Sequence, residues 1–198
     1  MNIERDQISE DILKSIVFGL TGKNASGKGT VAEILKKKNF TYHSLSDSLR
    51  DELKSLKKEE TRENLIDIGN ELREKGGPGV LADILMPKLN SENNHIVDSI
   101  RNPLEVISLR KETLLRRFFL ISVDANSKLR YDRLCSRGRI GDTDSWEKFV
   151  EQEKKEENND DPNKQQLSRT MEMADYSIDN SGTLEELEAQ VNRIISSL

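Results

Sequence analysis

The sequence contains very little cysteine and histidine, and these shortages exclude several kinds of site. Cys135 is the only cysteine among the 198 residues, so the chain can form neither an internal disulfide nor a cysteine-rich metal site. We expect Cys135 to be a small buried side chain within a helix rather than a nucleophile. The two histidines, His43 and His95, lack the spacing of metal ligands, and we expect both to be structural or exposed.

Long apolar runs and an excess of positive charge are also missing. No stretch is long enough to cross a membrane, and there is no signal-peptide pattern. The formal net charge is -5 at pH 7, which disfavours a protein that coats nucleic acid. We therefore expect a cytoplasmic protein with neither a membrane nor a nucleic-acid partner, whereas the sequence leaves the oligomeric state open.

What the chain does contain is a regular alternation of strand and helix patterns. Its length suits one α/β domain, residues 1–198, with a mobile subdomain, and no repeat or linker divides it. Buried strands are predicted at residues 16–20, 40–45, 95–97, 118–123 and 176–178. Such alternation favours parallel βαβ units with helices on both faces, a three-layer α/β/α fold. Ligands of such folds bind beyond the carboxyl ends of the strands.

The most informative segment is a glycine-rich turn between the first predicted strand and the helix that follows. Glycines allow the backbone to curl so that its N–H groups point at phosphate oxygens, and the helix adds its positive N-terminal end. Lys28 would reach the outer phosphates as a point charge and act in catalysis. A plain surface loop is the alternative, but the strand before it and the helix after it favour a P-loop that binds ATP. Its predicted nucleotide-binding residues are Gly22, Lys23, Asn24, Ala25, Ser26, Gly27, Lys28, Gly29 and Thr30.

A magnesium ion is expected beside this loop, with few protein ligands. Gly29 directly follows Lys28, so the hydroxyl group comes one residue later, at Thr30. We infer that phosphates, water, Thr30 and a distant carboxylate hold the metal. Asp98, at the end of a predicted strand, can supply that carboxylate by orienting Mg²⁺-bound water.

Charged residues after the predicted strands are candidates for binding an acceptor. Arg101 could clamp an acceptor phosphate with its planar guanidinium group, although a capping Asp98 and a surface Arg101 are the alternative. Asp47 could accept a proton from the attacking oxygen or steer that oxygen, and Arg50 could hold an anionic group. An N-capping aspartate and a solvated arginine explain this second pair equally well. Arg73 is a further candidate for an acceptor contact, although a lone arginine on a helix is usually solvated.

Arginines recur near the end of the helix that follows the fourth predicted strand. Arg130, Arg133 and Arg137 are spaced so that they share one helix face. Arginines near the γ-phosphate would neutralise the charge that develops during transfer, and we assign this role to Arg137 and Arg139. The alternative is a favourable position at the negative end of the helix together with a solvated face. Neighbouring glycines suit a hinge, so a catalytic helical lid is predicted over residues 137–165.

Four segments give the chain a resemblance to P-loop kinases of the nucleoside monophosphate kinase group, and within it to dephospho-CoA kinase-like proteins. The segments are residues 22–30, 45–47, 97–101 and 174–182. The resemblance implies a five-stranded parallel sheet of order 2-3-1-4-5. It matches Asp47 to the proposed catalytic base, and Arg137 with Arg139 to the lid. It also implies that Asn180 and Gly182 border the adenine of ATP.

The resemblance further implies an ATP-dependent phosphotransferase whose small acceptor already carries phosphate. A nucleoside or deoxynucleoside monophosphate is the first choice. The Gly-Lys-Gly-Thr loop resembles that of adenylate-kinase-type enzymes, and Asp-Ser-Ile-Arg resembles the Asp-Thr-Arg of phage deoxynucleoside monophosphate kinase and animal phosphomevalonate kinase. Dephospho-CoA is the second choice and phosphomevalonate the third.

Some features of the chain depart from these families. Dephospho-CoA kinases usually have Gly-Lys-Ser or Gly-Lys-Thr, whereas this chain has Gly-Lys-Gly-Thr. The predicted acceptor-binding helical region of this chain is residues 46–90, and within it residues 61–89 differ from the substrate region of those kinases. A non-catalytic ATP-binding module also stays open. A GTPase switch would need an Asn-Lys-x-Asp segment, and residues 163–166 read Asn-Lys-Gln-Gln instead.

Overall fold

Five parallel strands form one sheet in the described part of the chain. The structure, a computed structural model, describes residues 15–111, 116–138, 145–157 and 160–198. The strands are β1 (Ser15–Thr21), β2 (Phe40–Ser44), β3 (Asn94–Asp98), β4 (Arg116–Asp124) and β5 (Tyr176–Asp179). Their order is β2-β3-β1-β4-β5, and every neighbouring pair is parallel. The predicted sheet and its order are therefore confirmed.

Helices connect the strands, and the P-loop lies between β1 and the first helix. The helices of the described residues are α1 (Lys28–Lys36), α2 (Leu45–Ser55), α3 (Arg62–Gly76), α4 (Val80–Leu85), α5 (Pro103–Lys111), α6 (Ser127–Arg137), α7 (Trp146–Glu157), α8 (Leu167–Glu172) and α9 (Leu184–Ser196). A short 3₁₀ helix, Met86–Lys88, continues α4. Within the described ranges, none of these helices combines the length and the apolarity that a membrane crossing would require.

Alternating side chains of the strands divide the core into two layers, one on each face of the sheet. In β1, Val17 belongs to the layer formed with α2, α3, α4 and α5. Phe18 and Leu20 belong to the layer formed with α1 and α9, and all three side chains are buried. Successive side chains of a strand point to opposite faces, so this pattern requires a sheet that is covered on both sides. The predicted α/β/α layering is confirmed.

Side-chain caps define where two of the helices begin. Thr183 and Glu186 form a capping box at the start of α9, because each side chain accepts a hydrogen bond from the backbone N–H of the other. The cap of α2 is Ser44, whose Oγ accepts from the Ser46 N–H at 3.2 Å. Asp47 therefore lies in the first turn of α2, and the alternative interpretation of Asp47 as an N-cap is wrong.

The helix of the predicted lid region, α7, packs against α6. Phe149 is buried, and its ring centroid lies 5.5 Å from that of Tyr131 on α6 and 5.5 Å from that of Trp146. Glu153 of α7 forms an ion pair with Arg130 of α6. Residues 139–144 and 158–159 lie outside the described residues, so the closing of a lid stays a prediction.

The expectations for cysteine and histidine have different outcomes. Cys135 is exposed, so the prediction that it is buried is wrong. The neighbouring Leu134 occupies the buried face of α6, and the next residue along a helix points elsewhere.

His95 is buried, and its Nδ1 lies 3.0 Å from Nε2 of His43. Its Nε2 lies 2.9 Å from the Asn90 carbonyl oxygen, which can only accept, so His95 carries its proton on Nε2 and His43 donates to Nδ1.

Candidate active site

A cleft of about 480 Å³ opens at the carboxyl ends of β1, β2 and β3, where an open parallel sheet is expected to bind ligands. The P-loop and α6 contribute to its lining, as do α2, α3 and the segment after β3. The predicted catalytic, metal-binding and acceptor-binding residues that line it are Lys28, Thr30, Arg50, Arg73, Asp98, Arg101 and Arg137. The predicted site residues that are described but are not among the lining residues are Gly22, Lys23, Asp47, Asn180 and Gly182. Arg139 lies outside the described residues.

The path of the P-loop requires glycine at two positions. Gly22 and Gly27 have φ angles of 138° and 100°. An ideal Cβ on Gly22 would lie 2.0 Å from the Val123 carbonyl oxygen, and one on Gly27 would lie 2.0 Å from Nδ2 of Asn180. Both glycines therefore permit a turn that a side chain would strain and a close approach that a side chain would block.

Lys28 lies against the backbone of its own loop. Its Nζ donates to the carbonyl oxygens of Gly22 at 2.7 Å and Lys23 at 2.9 Å. These bonds hold the ammonium group within the loop, beside the cleft that its residue lines. An ammonium group has three donors on a flexible stem, so it can exchange a carbonyl acceptor for a phosphate oxygen without leaving the loop.

Asn180 holds the P-loop from the segment after β5. The Asn180 side chain is buried, and its Nδ2 donates to the Ser26 carbonyl oxygen at 2.9 Å. The backbone carbonyl oxygen of Asn180 accepts from Nη2 of Arg133 at 2.9 Å. Asn180 thus connects the loop to α6. Its predicted contact with adenine, like that of Gly182, stays a prediction.

Two buried polar atoms beside the loop lack hydrogen-bond partners among the described residues. They are Oγ of Ser26 and Nη1 of Arg133, and both residues line the cleft. Buried polar groups are normally paired, and an unpaired one at a cleft is commonly completed by a ligand, ion or water. Arg137, one turn after Arg133, donates from Nη2 to Oδ1 of Asn24 at 3.0 Å. These atoms therefore fit the oxygen-rich phosphates of a nucleotide.

Asp98 is held by two hydrogen bonds at the end of β3. Its Oδ2 accepts from the Tyr42 hydroxyl at 2.9 Å, and its Oδ1 accepts from the Ser99 N–H at 2.6 Å. Burial and the neighbouring Asp98 carboxylate raise the pKa of Tyr42, so Tyr42 stays a hydrogen-bond donor. Both bonds fix the carboxylate in the cleft. Tyr42 and Ser99 line the cleft too, and sequence reasoning missed both.

The donor set beside the loop fits Mg²⁺ bound through few protein ligands. The Asp98 carboxylate and the Thr30 hydroxyl line the same cleft. Oxygen ligands of this kind suit Mg²⁺, which keeps several waters and takes others from phosphates. Within the described ranges there is no group of three or more histidine, cysteine or acidic residues that could hold a metal by itself.

The three arginines predicted to bind the acceptor are already engaged by protein groups. Arg50 donates to Oδ1 of Asp47 at 2.9 Å and to Oε1 of Glu60 at 2.7 Å. Arg101 donates from Nη1 to Oε1 of Gln165 at 3.3 Å. Arg73 is buried and forms an ion pair with a fully buried glutamate, Glu105. Sequence reasoning missed Glu105, although the pattern Asn102-Pro103-Leu104-Glu105 indicates a helix start with a glutamate in its first turn.

Comparison with protein families finds a match over most of the chain. The family model described as AAA domain matches residues 19–160. The UPF0200 protein of Pyrococcus furiosus is 32% identical over 187 residues, covering 92% of this chain and 97% of that protein. The UPF0200 protein of Hyperthermus butylicus is 30% identical over 185 residues, covering 92% of this chain and 95% of that protein.

Solved structures share the fold. Shikimate kinase from Aquifex aeolicus superposes with a TM-score of 0.52 at 14% identity, covering 92% of this chain and 97% of that one. A sugar kinase from Janibacter sp. HTCC2649 superposes with a TM-score of 0.52 at 12% identity, covering 92% of this chain and 93% of that one. At such identities the likeness extends to the fold alone, which is a P-loop kinase-like α/β fold.

Proposed function

We propose that this chain, which belongs to the UPF0200 family and carries an AAA domain, is an ATP-dependent small-molecule phosphotransferase. It would transfer the γ-phosphoryl group of ATP to a small acceptor that already carries a phosphate. The observation that carries the proposal is a single cleft with two kinds of lining. P-loop residues and arginines of α6 line it together with the carboxylate that ends β3 and with three arginines from α2, α3 and the segment after β3. Donor and acceptor groups would thus meet in one space.

On the donor side, the P-loop backbone and Lys28 would hold the phosphates of ATP. The unpaired Oγ of Ser26 and Nη1 of Arg133 would complete the site with two further donors. Arg137 lies one turn beyond Arg133 and would neutralise charge on the transferred group, a role we also propose for Arg139. Thr30 and Asp98 would hold Mg²⁺ directly or through water, and the ion would supply positive charge that stabilises the phosphates.

On the acceptor side, Arg101 would clamp the phosphate that the acceptor already carries. Arg73 and Arg50 would contribute N–H donors from α3 and α2, the two helices that line this part of the cleft. Phosphoryl transfer needs the protein mainly to position the nucleophile and to stabilise charge. We favour Asp98 over Asp47 for steering the attacking oxygen, because Asp98 lines the cleft whereas the Asp47 carboxylate pairs with Arg50.

A nucleoside or deoxynucleoside monophosphate is the acceptor that we favour. Four apolar side chains of the acceptor side would give a flat base an apolar surface, while the arginines bind its phosphate. They are Leu49, Leu65, Ile66 and Leu81. Dephospho-CoA is the second candidate, because residues 174–182 resemble a segment of dephospho-CoA kinases. Phosphomevalonate is the third, and a non-catalytic ATP-binding module is the alternative from another class.

A screen of acceptors by coupled ADP release tests the proposal. The enzyme, ATP and Mg²⁺ are combined in turn with each nucleoside and deoxynucleoside monophosphate, with dephospho-CoA and with phosphomevalonate. We expect ADP release that depends on at least one monophosphate. Turnover of dephospho-CoA alone would reverse the ranking of acceptors. ATP binding without ADP release for any acceptor would indicate a binding module.

A further inference from the structure

The buried carboxylate of Glu105 joins two arginines of the cleft. Glu105 lies in the first turn of α5 and is 0% exposed. Its Oε1 accepts from Nε and Nη2 of Arg73 at 3.2 Å and 2.8 Å. Its Oε2 accepts from the backbone N–H groups of Arg101 at 2.8 Å and Asn102 at 3.1 Å. Both oxygens are therefore fully used, which offsets the cost of burying the carboxylate.

Helix capping alone does not account for this arrangement. Oε2 accepts from the Asn102 N–H, and Oδ1 of Asn102 accepts from the Leu104 N–H at 2.9 Å, much as in a capping box. Oε1 takes no part in that cap. It binds Arg73, which is 32 residues away in α3. Arg73 is only 2% exposed, so without Glu105 its charge would be buried without a counter-ion.

We propose that Glu105 is the positioning residue of the acceptor subsite, an inference that rests on the proposed function. It fixes the guanidinium group of Arg73 and the backbone from which Arg101 extends, and both arginines line the cleft. Glu105 balances the positive charge of Arg73. Arg73 would therefore act on the acceptor through the direction of its N–H groups rather than through net charge. Arg101, whose backbone N–H Glu105 also binds, would contact the acceptor phosphate from this fixed position. Glu105 itself does not line the cleft, so it acts through these two residues.

The kinetic test compares Glu105→Gln with the wild-type enzyme. Gln keeps the size of the side chain but has one acceptor oxygen, which cannot serve both Arg73 and the backbone N–H groups. For the monophosphate that the wild type turns over, we expect KM to rise about 10- to 100-fold, while the Kd of ATP changes by less than about twofold. Glu71→Gln is the matched control, because it removes an exposed ion pair with Lys75 from α3, the helix that carries Arg73. It should change neither constant.

A second measurement needs no acceptor. Hydrogen exchange is followed by NMR at the backbone N–H groups of Arg101 and Asn102 and at the Arg73 Nε–H. We expect faster exchange at one or more of these three groups in Glu105→Gln, and wild-type rates in β1. If the wild type turns over no acceptor, the proposed function fails, and the exchange rates then show only whether Glu105 holds Arg73 and the backbone at Arg101 and Asn102. Wild-type exchange at all three groups, an unchanged KM, or an equal loss of ATP affinity would each contradict the inference.

Discussion

Replacing Gly27 by alanine should weaken ATP binding strongly, whereas the same change at Gly29 should not. Gly27 has φ of 100°, and an added Cβ would lie 2.0 Å from Nδ2 of Asn180. That Nδ2 is the atom that donates to the Ser26 carbonyl oxygen and holds the loop. The methyl group would therefore strain the backbone and displace the side chain that supports it.

The size of the effect follows from these two terms. A left-handed backbone conformation costs a residue with a Cβ about 1–2 kcal/mol, and the loss of one hydrogen bond costs about 1 kcal/mol. The sum is about 2–3 kcal/mol against the conformation that binds phosphate. If the loop relaxes out of that conformation, the competent fraction falls, and the Kd of ATP should rise about 30- to 150-fold.

Isothermal titration of ATP with Mg²⁺ into each variant measures this rise. At Gly29 an added Cβ would meet no atom within 4 Å, and other P-loops carry serine or threonine at this position. Gly29→Ala should thus bind ATP within about twofold of wild type, since alanine also suits a helix better than glycine. Wild-type affinity in Gly27→Ala, or an equal loss of affinity in both variants, would mean that ATP binding does not depend on the backbone conformation at Gly27.

Three further predictions concern the charged groups. Lys28→Ala should lower turnover by about 10²–10³-fold or more with an unchanged circular dichroism spectrum, because the ammonium charge is needed in the transition state. The control is Lys36→Ala, on the exposed side of α1. Near-normal turnover by Lys28→Ala would exclude the proposed active site. Arg101→Ala should raise the acceptor's KM far more than the Kd of ATP, whereas the control Arg193→Ala, in α9, should change neither constant. Equal rises in KM and Kd would place Arg101 on the donor side. Burial and the neighbouring His95 lower the pKa of His43 below 6.5, so the folded state binds fewer protons than the unfolded state and stability falls as pH falls through 6.5. Urea unfolding at about pH 7.5 and about pH 5.5 should therefore show a smaller acid loss for His43→Gln than for wild type, and equal losses would contradict this assignment.

Most of the fold could be predicted because local patterns determine it. The apolar run before the glycine-rich turn defines β1, and the alternation of strands with helices requires a parallel sheet with covered faces. Local patterns do not determine the order of the strands. In the sheet, β3 lies between β2 and β1, although it follows both in the chain. No local pattern encodes that insertion, and the prediction of the order depended on the family resemblance.

The site could be predicted where a residue's position along the chain determines its place. Asp98 ends β3 and Arg101 follows it, so both reach the carboxyl edge of the sheet and line the cleft. Asp47 also follows a strand, but Ser44 already caps α2, and Asp47 lies in its first turn, outside the lining residues. A position after a strand therefore brings a residue near the cleft without directing its side chain into it.

The contacts that support the site could not be predicted, because they join residues far apart in the chain. Tyr42 bonds to Asp98 across 56 positions, and Asn180 bonds to Ser26 across 154 positions. From the local sequence, Tyr42 is predicted only to be a strand residue and Asn180 only to be a turn residue. Only the packing of β2 beside β3, and of the segment after β5 against the P-loop, gives them a second role.

The proposed reaction transfers the γ-phosphoryl group of ATP to a small acceptor rather than to water. The direct measurement follows the label from γ-³²P-ATP in the presence of the acceptor that best promotes ADP release, with the products separated by anion-exchange chromatography. We expect the label to appear in the acceptor, as a product with one more phosphate, and we expect Lys28→Ala to form at least about 100-fold less of this product. Label found only in free phosphate, or only on the protein, would mean that the chain is not a small-molecule phosphotransferase.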